Sequence, residues 1–247
     1  MPFLDTIGHH LSLFESLEST NNYAMAAIHD GTAGHGFVYQ ALEQTAGKGQ
    51  RGKTWVTGKN MNIALSAVLE PGEILPSDSF LLGAATAIAV RDWLSGYVDG
   101  CMIKWPNDIY IHDKKIAGIL IENIIRGNRW NYAVAGIGVN INQPAFEEGL
   151  EHAISLKMIT GKTYDLALMG RELCAELEKK WITLRRNPEQ LIESYNEHLY
   201  RKNKVVQFSD NNRVFSATVK YVMPSGELIV AGGTDEMVVA RGVQWLI

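Results

Sequence analysis

Residues 47–54 read Gly-Lys-Gly-Gln-Arg-Gly-Lys-Thr, which crowds three glycines and three cations into seven positions. Gly47, Gly49 and Gly52 let the backbone approach a bound group closely, and Lys48, Arg51 and Lys53 favour a polyanion. At an effective dielectric near 20, a cation about 4 Å from a phosphate charge is attracted by roughly 4 kcal/mol before desolvation. The string also matches G-x-x-x-x-G-K-S/T, the phosphate loop of nucleotide hydrolases. That loop must open a helix whose N-terminus faces the phosphates. Here Thr54 leads into Trp-Val-Thr-Gly-Lys-Asn and then a strand, so the hydrolase reading is set aside. A loop that closes over a triphosphate remains, beside the plain alternative of a solvated basic loop.

Other groups narrow the chemistry by exclusion. The 7 histidines show no metal-ligand spacing, and Cys101 and Cys174 form neither a zinc knuckle nor a disulfide framework. With 23 basic and 27 acidic residues, the net charge of -4 excludes a general binder of nucleic acid or acidic membranes. Apolar residues at 46% and charged ones at 20% describe an ordinary folded chain. No apolar run approaches the roughly 18 residues of a membrane span, and no signal peptide is visible at the start. A protein of a reducing, cytoplasmic setting is expected.

The elements that must position these groups are legible in outline. Residues 11–18 alternate as a strand, and Ser19 to Asn22 cap a short helix closed by Gly31. Residues 36–43 and 61–69 read as buried strands flanking the glycine loop. Ser77-Asp78 caps a helix that runs to about Gly96. Four strand-like pieces follow, 102–105, 108–111, 116–125 and 132–141, with turns between them. Residues 164–184 are helical in period, and Asn187-Pro188 starts another helix. Beyond Tyr200 short β-rich stretches alternate with turns at Asp210 to Asn212, Pro224 to Gly226 and Gly232-Gly233. The expected class is α+β: an antiparallel or mixed sheet with helices over 1–199, then a small β-barrel over 200–247 packed onto it.

Four further stretches stand in order with the loop. They are Glu18-Ser-Thr-Asn21, Lys104-Trp-Pro-Asn-Asp108, Lys115-Ile-Ala-Gly-Ile-Leu-Ile-Glu122 and Gly136-Ile-Gly-Val-Asn-Ile141. Together with Gly47 to Trp55 they resemble the biotin protein ligase family in order and spacing, over about residues 10–143. The resemblance implies a class II synthetase-like catalytic fold and an SH3-like C-terminal barrel. It implies that biotin and ATP form biotinyl-5′-adenylate, and that a lysine of a biotin carboxyl carrier domain of a carboxylase then accepts the biotin. Magnesium would accompany the phosphates.

By the same resemblance, Lys115 neutralises the biotin carboxylate and the phosphate as the anhydride forms, with Arg51 the second catalytic cation. Ser19, Thr20, Asn21 and Gln44 match contacts to biotin, as do Gly47, Lys48, Gly49, Gln50, Gly118 and Gly136, with Gly138 beside them. Short hydroxyl and amide side chains suit a ureido ring, which offers one acceptor and two donors. Lys48, Arg51, Lys53, Trp55, Asn107 and Asn140 match the ATP side, and Asp108 a magnesium ligand. Each also has a plainer reading: Ser19 as a helix cap, Lys115 as a hairpin lysine, the glycines as bulges, Trp55 as a loop anchor, Asn107 and Asp108 as turn formers.

The loop departs from the arginine-rich form common in the family, with Lys48, Gln50 and Lys53 at positions where arginine is frequent. Lysine lacks the bidentate fork and Gln50 lacks the charge, which implies looser retention of the adenylate. The first strand starts within about a dozen residues of Met1, so the expectation is a short form without an N-terminal DNA-binding domain and without a nucleic-acid or membrane partner. A lipoate or octanoate ligase and a non-catalytic biotin-binding module are the alternatives. Carrier docking is expected on an exposed strand edge, and deletion of the barrel is expected to weaken ATP use more than biotin binding. Whether the chain is a monomer or a homodimer is open.

Overall fold

Seven strands form the larger sheet, in the order β1-β2-β3-β7-β6-β5-β4. They are β1 (His10–Phe14), β2 (Phe37–Ala41), β3 (Asn62–Leu69), β4 (Met102–Lys104), β5 (Asp108–Ile111), β6 (Lys114–Arg126) and β7 (Arg129–Asn140). The pair β1–β2 is parallel and the other pairs are antiparallel. This computed structural model describes residues 6–56, 58–210, 213–232, 235–239 and 243–246.

The sheet has two different faces, and β3 shows why. Side chains alternate along a strand, so Ile63, Leu65, Ala67 and Leu69 enter the main core, where helices α2 (Ser79–Ser95) and α4 (Leu166–Arg186) pack. The α4 stripe of Leu166, Met169, Leu173, Leu177, Trp181 and Leu184 recurs at three and four residues, the spacing of one helical face. On the opposite face, α1 (Thr20–His29) covers only one end. There Ala24 and Ala27 pack with Tyr39, Val68 and Val134 in a small separate cluster. The rest of that face carries the site.

A second, antiparallel sheet follows α5 (Pro188–Glu197). Its order is β11-β10-β9-β8-β12, with β8 (Val205–Asp210), β9 (Arg213–Val222), β10 (Leu228–Gly232), β11 (Asp235–Val239) and β12 (Gln244–Leu246). It shares the main core through Phe208, Val219 and Leu228. Trp105 Nε1 donates to the Gly226 carbonyl at 3.1 Å, and Asn196 brackets the Val222 backbone with bonds of 2.9 and 2.7 Å. The five-strand count agrees with the expected barrel-like unit. The expected turns at Asn211-Asn212 and Gly233, and the stretch 240–242, lie outside the described residues.

Two local expectations shift, and one element is unexpected. Strand β1 stops at Phe14, and Leu17 keeps only an isolated bridge to Gln44, because the chain must turn to enter α1. Helix α2 starts at Ser79 after a 3-10 turn, Pro76–Asp78; the Ser77 hydroxyl bonds Asp78 instead of capping the helix. A short helix, α3 (Leu156–Thr160), is capped by Ser155 and is too brief to reveal itself by periodicity.

Candidate functional site

One row of residues across the sheet organises the site. The register sets Lys104 beside Asp108, Asp108 beside Gly118, Gly118 beside Gly138 and Gly138 beside Ala64. Paired residues on neighbouring strands share a face. A charged pair therefore gives way, within one row, to positions with almost no side chain. The next row runs through Ser66, Gly136 and Leu120. A hollow of about 450 Å³ opens over this bare floor, and a wider one of about 1780 Å³ lies over the charged end of the row, both volumes counting space open to solvent.

Thr20, Asn21 and Gln44 in the wall of the smaller hollow belong to a hydrogen-bonded relay that runs behind it through Ser66 and Glu122. Gln44 Oε1 accepts from Thr20 N at 2.8 Å and lies 3.1 Å from Thr20 Oγ1. Ser66 Oγ lies 2.7 Å from Thr20 Oγ1 and 2.6 Å from Asn21 Oδ1. A hydroxyl has one proton and a carboxamide oxygen can only accept, so the Ser66 proton goes to Asn21. Asn21 Nδ2 donates to Glu122 Oε2 at 2.7 Å. Ser19 does two jobs: it caps α1, accepting from Asn22 N at 3.4 Å, and it lines this hollow.

The glycines are explained by what lies on them. A Cβ on Gly136 would overlap the Asn21 carboxamide, and one on Gly138 would overlap the Trp55 indole. A Cβ on Gly118 would come within 3.0 Å of the Trp55 ring and 3.1 Å of Lys115 Nζ. Gly47 is in neither wall; it is buried where a side chain would strike the Trp55 carbonyl and the Gln44 amide. Lys48, Gly49 and Gln50 line the small hollow from the loop, which turns through Arg51 in a left-handed conformation (φ 57°). Thr54 pairs with Lys48 and no helix follows it, so the phosphate-loop geometry is absent.

Lys115 stands where the two hollows meet and lines both, as do Trp55 and Asn107. Its ammonium is 2.7 Å from Asp108 Oδ1 and 5.5 Å from the Trp55 ring centroid. Its backbone is clamped by the segment 152–154, with Lys115 N donating to His152 O at 2.6 Å and Ile154 N to Lys115 O at 3.0 Å. Asn140 spends its amide on the same clamp, donating to Ile154 O at 3.2 Å. Asn107 fixes the β4–β5 turn to β6, donating from Nδ2 to Ile119 O at 2.7 Å.

The wider hollow is lined by cations: Arg51, Lys53, Lys104 and Lys115. Lys48, Arg51 and Lys53 are exposed, whereas Lys104 is half-buried on β4. Burial holds the Lys104 ammonium below the usual lysine range; Lys115 and Lys53 push the same way and Asp108 opposes them. The indole N–H of Trp55 is buried without an acceptor. Trp245 of the second sheet closes the far side.

The expected residues thus gather around these two hollows, Gly47 excepted. Four others were not singled out for the site: Ser66, Glu122, Lys104 and Trp245. Ser66 is the lone hydroxyl in β3, among apolar residues from Ile63 onward, and Glu122 and Gly118 share strand parity. Those signals acquire meaning only once the register is known.

Comparison with known proteins is consistent with this geometry. Residues 13–140 match the model of the biotin/lipoate A/B protein ligase family. A bifunctional ligase/repressor of Bacillus subtilis is 30% identical over 183 residues, 72% of this chain and 55% of that protein. A biotin–acetyl-CoA-carboxylase ligase of Paracoccus denitrificans is 35% identical over 156 residues, 60% of this chain and 63% of that protein. The chain thus spans about half to two thirds of the length of these relatives. The structure of a biotin protein ligase from Aquifex aeolicus with biotin and ATP superposes with a TM-score of 0.82. That alignment covers 96% of this chain and 99% of that one at 18% identity, which establishes a shared fold.

Proposed function

This chain belongs to the biotin/lipoate A/B protein ligase family, and from that premise we propose that it joins biotin to ATP and transfers the biotin to a carrier lysine. The observation that carries this reading is the position of Lys115, at the junction of a small polar hollow and a wide cationic one. In this reading the ureido ring of biotin meets the Thr20–Ser66–Asn21 relay, and the valeryl chain lies over the glycine floor. Its carboxylate then reaches Lys115.

ATP occupies the wider hollow. Attack of the biotin carboxylate on the α-phosphate brings two anions together, and the Lys115 ammonium between them offsets their repulsion where charge builds. The Pα–O bond to the β-phosphate breaks, and pyrophosphate leaves with the electron pair. Lys48, Arg51 and Lys53 hold the phosphates as the loop orders, which shields the mixed anhydride from water. The carrier lysine, as a free amine, attacks the anhydride carbonyl; AMP leaves and the amine proton is lost to solvent. An acceptor on the adenylate would satisfy the buried Trp55 N–H, whose unmade bond costs about 1–3 kcal/mol.

Magnesium fits only in a limited way. No cluster of three or more His, Cys, Asp or Glu side chains suited to a metal occurs among the described residues. Among the described residues lining the wide hollow, Asp108 is the carboxylate, which suits an ion that arrives on a triphosphate and keeps its waters. Bound there, it would neutralise phosphate charge.

Two further assignments accompany the reading. Residues 1–199 form the catalytic unit and 200–247 a barrel whose Val243, Gln244 and Trp245 line the nucleotide side. That lining supports a barrel that serves ATP more than biotin. The carrier docks along β6 beyond Gly118, where the pairing with β5 ends. No helix among the described residues is long and apolar enough to cross a membrane, and the proposed setting is the cytoplasm, where carboxylase carriers are made.

ATP–pyrophosphate exchange tests the reading, run with biotin, with lipoate and with neither. Exchange with biotin alone is expected. Exchange with lipoate alone would overturn the substrate, and no exchange with either, despite biotin binding, would favour the non-catalytic biotin-binding module.

A further inference from the structure

Lys104 belongs to the KWPND stretch but has no role so far beyond opening it. The register makes it the end of the row Lys104–Asp108–Gly118–Gly138. It lies two strand spacings from Gly118, each about 4.8 Å. Lys115 lines both hollows, whereas Lys104 lines only the wider one. Passing outward from the junction, a ligand therefore meets Lys115 first and Lys104 next.

The ammonium is held in place. Lys104 Nζ donates to Tyr110 Oη at 3.1 Å and sits 4.7 Å from the centroid of that ring. Tyr110 is buried and packs on Tyr200, which in turn contacts Trp245. The charges acting on Lys104 are one carboxylate, Asp108, and two further ammonium groups, Lys115 and Lys53. Asp108 is already paired with Lys115. This end of the row therefore carries surplus positive charge on a rigid strand, unlike the exposed cations of the glycine loop. Surplus fixed charge beside a cleft is a place for an anion.

We propose that Lys104 binds the β- and γ-phosphates of ATP and stabilises pyrophosphate as it leaves. The assignment rests on the ligase reading above and adds a second fixed cation to it. Lys115 answers the charge at the α-phosphate. Lys104 answers the charge that builds on the leaving group when the Pα–O bond breaks and its electron pair departs. Transfer of biotin from the finished adenylate involves no pyrophosphate, so Lys104 matters to the first half-reaction alone.

Lys104→Met tests the proposal through a split between half-reactions. Loss of a charge-assisted contact is expected to weaken pyrophosphate binding in the reverse reaction about tenfold or more. Transfer from preformed biotinyl-5′-AMP to a carrier domain stays within about twofold of wild type in a single turnover, and Lys104→Arg recovers most of the pyrophosphate affinity. Unchanged pyrophosphate affinity in Lys104→Met, or an equal loss in the transfer step, would overturn it. Should Lys104→Met fail to fold, the wild-type protein still decides: pyrophosphate is expected to protect Lys104 from acylation by acetic anhydride, read by mass spectrometry. Absence of protection counts against the proposal. Wild-type protein without biotin-dependent exchange would sink the ligase reading itself, whereas exchange with no effect at Lys104 sinks only this inference.

Discussion

The two hollows are built by opposite means. In the small one the polar side chains are buried and bonded to one another: Ser19, Thr20 and Asn21 are 3–4% exposed and Ser66 is fully buried. In the wide one the loop cations Arg51 and Lys53 project into solvent. A prearranged relay loses little freedom when a ligand arrives, while exposed long side chains must be ordered to act. The contrast teaches a division of labour. On the proposed reading the biotin side is ready before binding and the nucleotide side is completed by it, with Lys115 fixed at the junction and Lys104 fixed in the wide hollow.

Lys115→Gln is the largest break in this scheme. It removes the cation at the junction and is expected to lower biotin-dependent ATP–pyrophosphate exchange about 1000-fold, near the upper range for a lost transition-state donor. Biotin binding, followed by calorimetry, falls by no more than about tenfold because the relay is untouched. Parallel losses in both would erase the distinction between the hollows.

Ser66→Ala comes next. It strips a proton from Asn21 and a partner from Thr20 while leaving the floor unchanged. Biotin affinity is expected to drop about tenfold or more, the effect of an unsatisfied buried group, with KM for ATP unaltered. An ATP defect of the same size would show that the relay serves both ligands.

Smaller effects belong to the loop. Lys53→Ala should raise KM for ATP by a few-fold at low salt, and the effect should shrink as salt is added, since exposed charges are weak and screened. A salt-independent loss would mean that Lys53 is buried in the working state. Gln50→Arg sharpens the comparison from the other side. A guanidinium added to the closing loop should slow release of biotinyl-5′-AMP a few-fold; an unchanged release rate would separate loop charge from retention.

What could be read in the sequence follows from how local each signal is. The glycine loop, the Glu18–Asn21 stretch that opens α1 and the Lys115 strand are contiguous strings, and the structure gathers them. Ser66 and Glu122 are different. Each lies in a largely apolar strand, and only the pairing of Ser66 with Gly136 and of Glu122 with Val134 brings them to the site face. Lys104 falls in the strand-like piece 102–105 and Asp108 opens 108–111; the row they form exists only across strands. Helix α3 escaped because five residues give no period, and the end of β1 escaped because alternation continues past the point where pairing stops.

A crystal structure with a non-hydrolysable biotinyl-adenylate analogue tests the central claim most directly. The account predicts the ureido ring against Thr20, Ser66 and Asn21, the acyl–phosphate linkage beside Lys115, and the adenosine in the wide hollow near Trp55. A biotin ring in the wide hollow, or a linkage remote from Lys115, would contradict it.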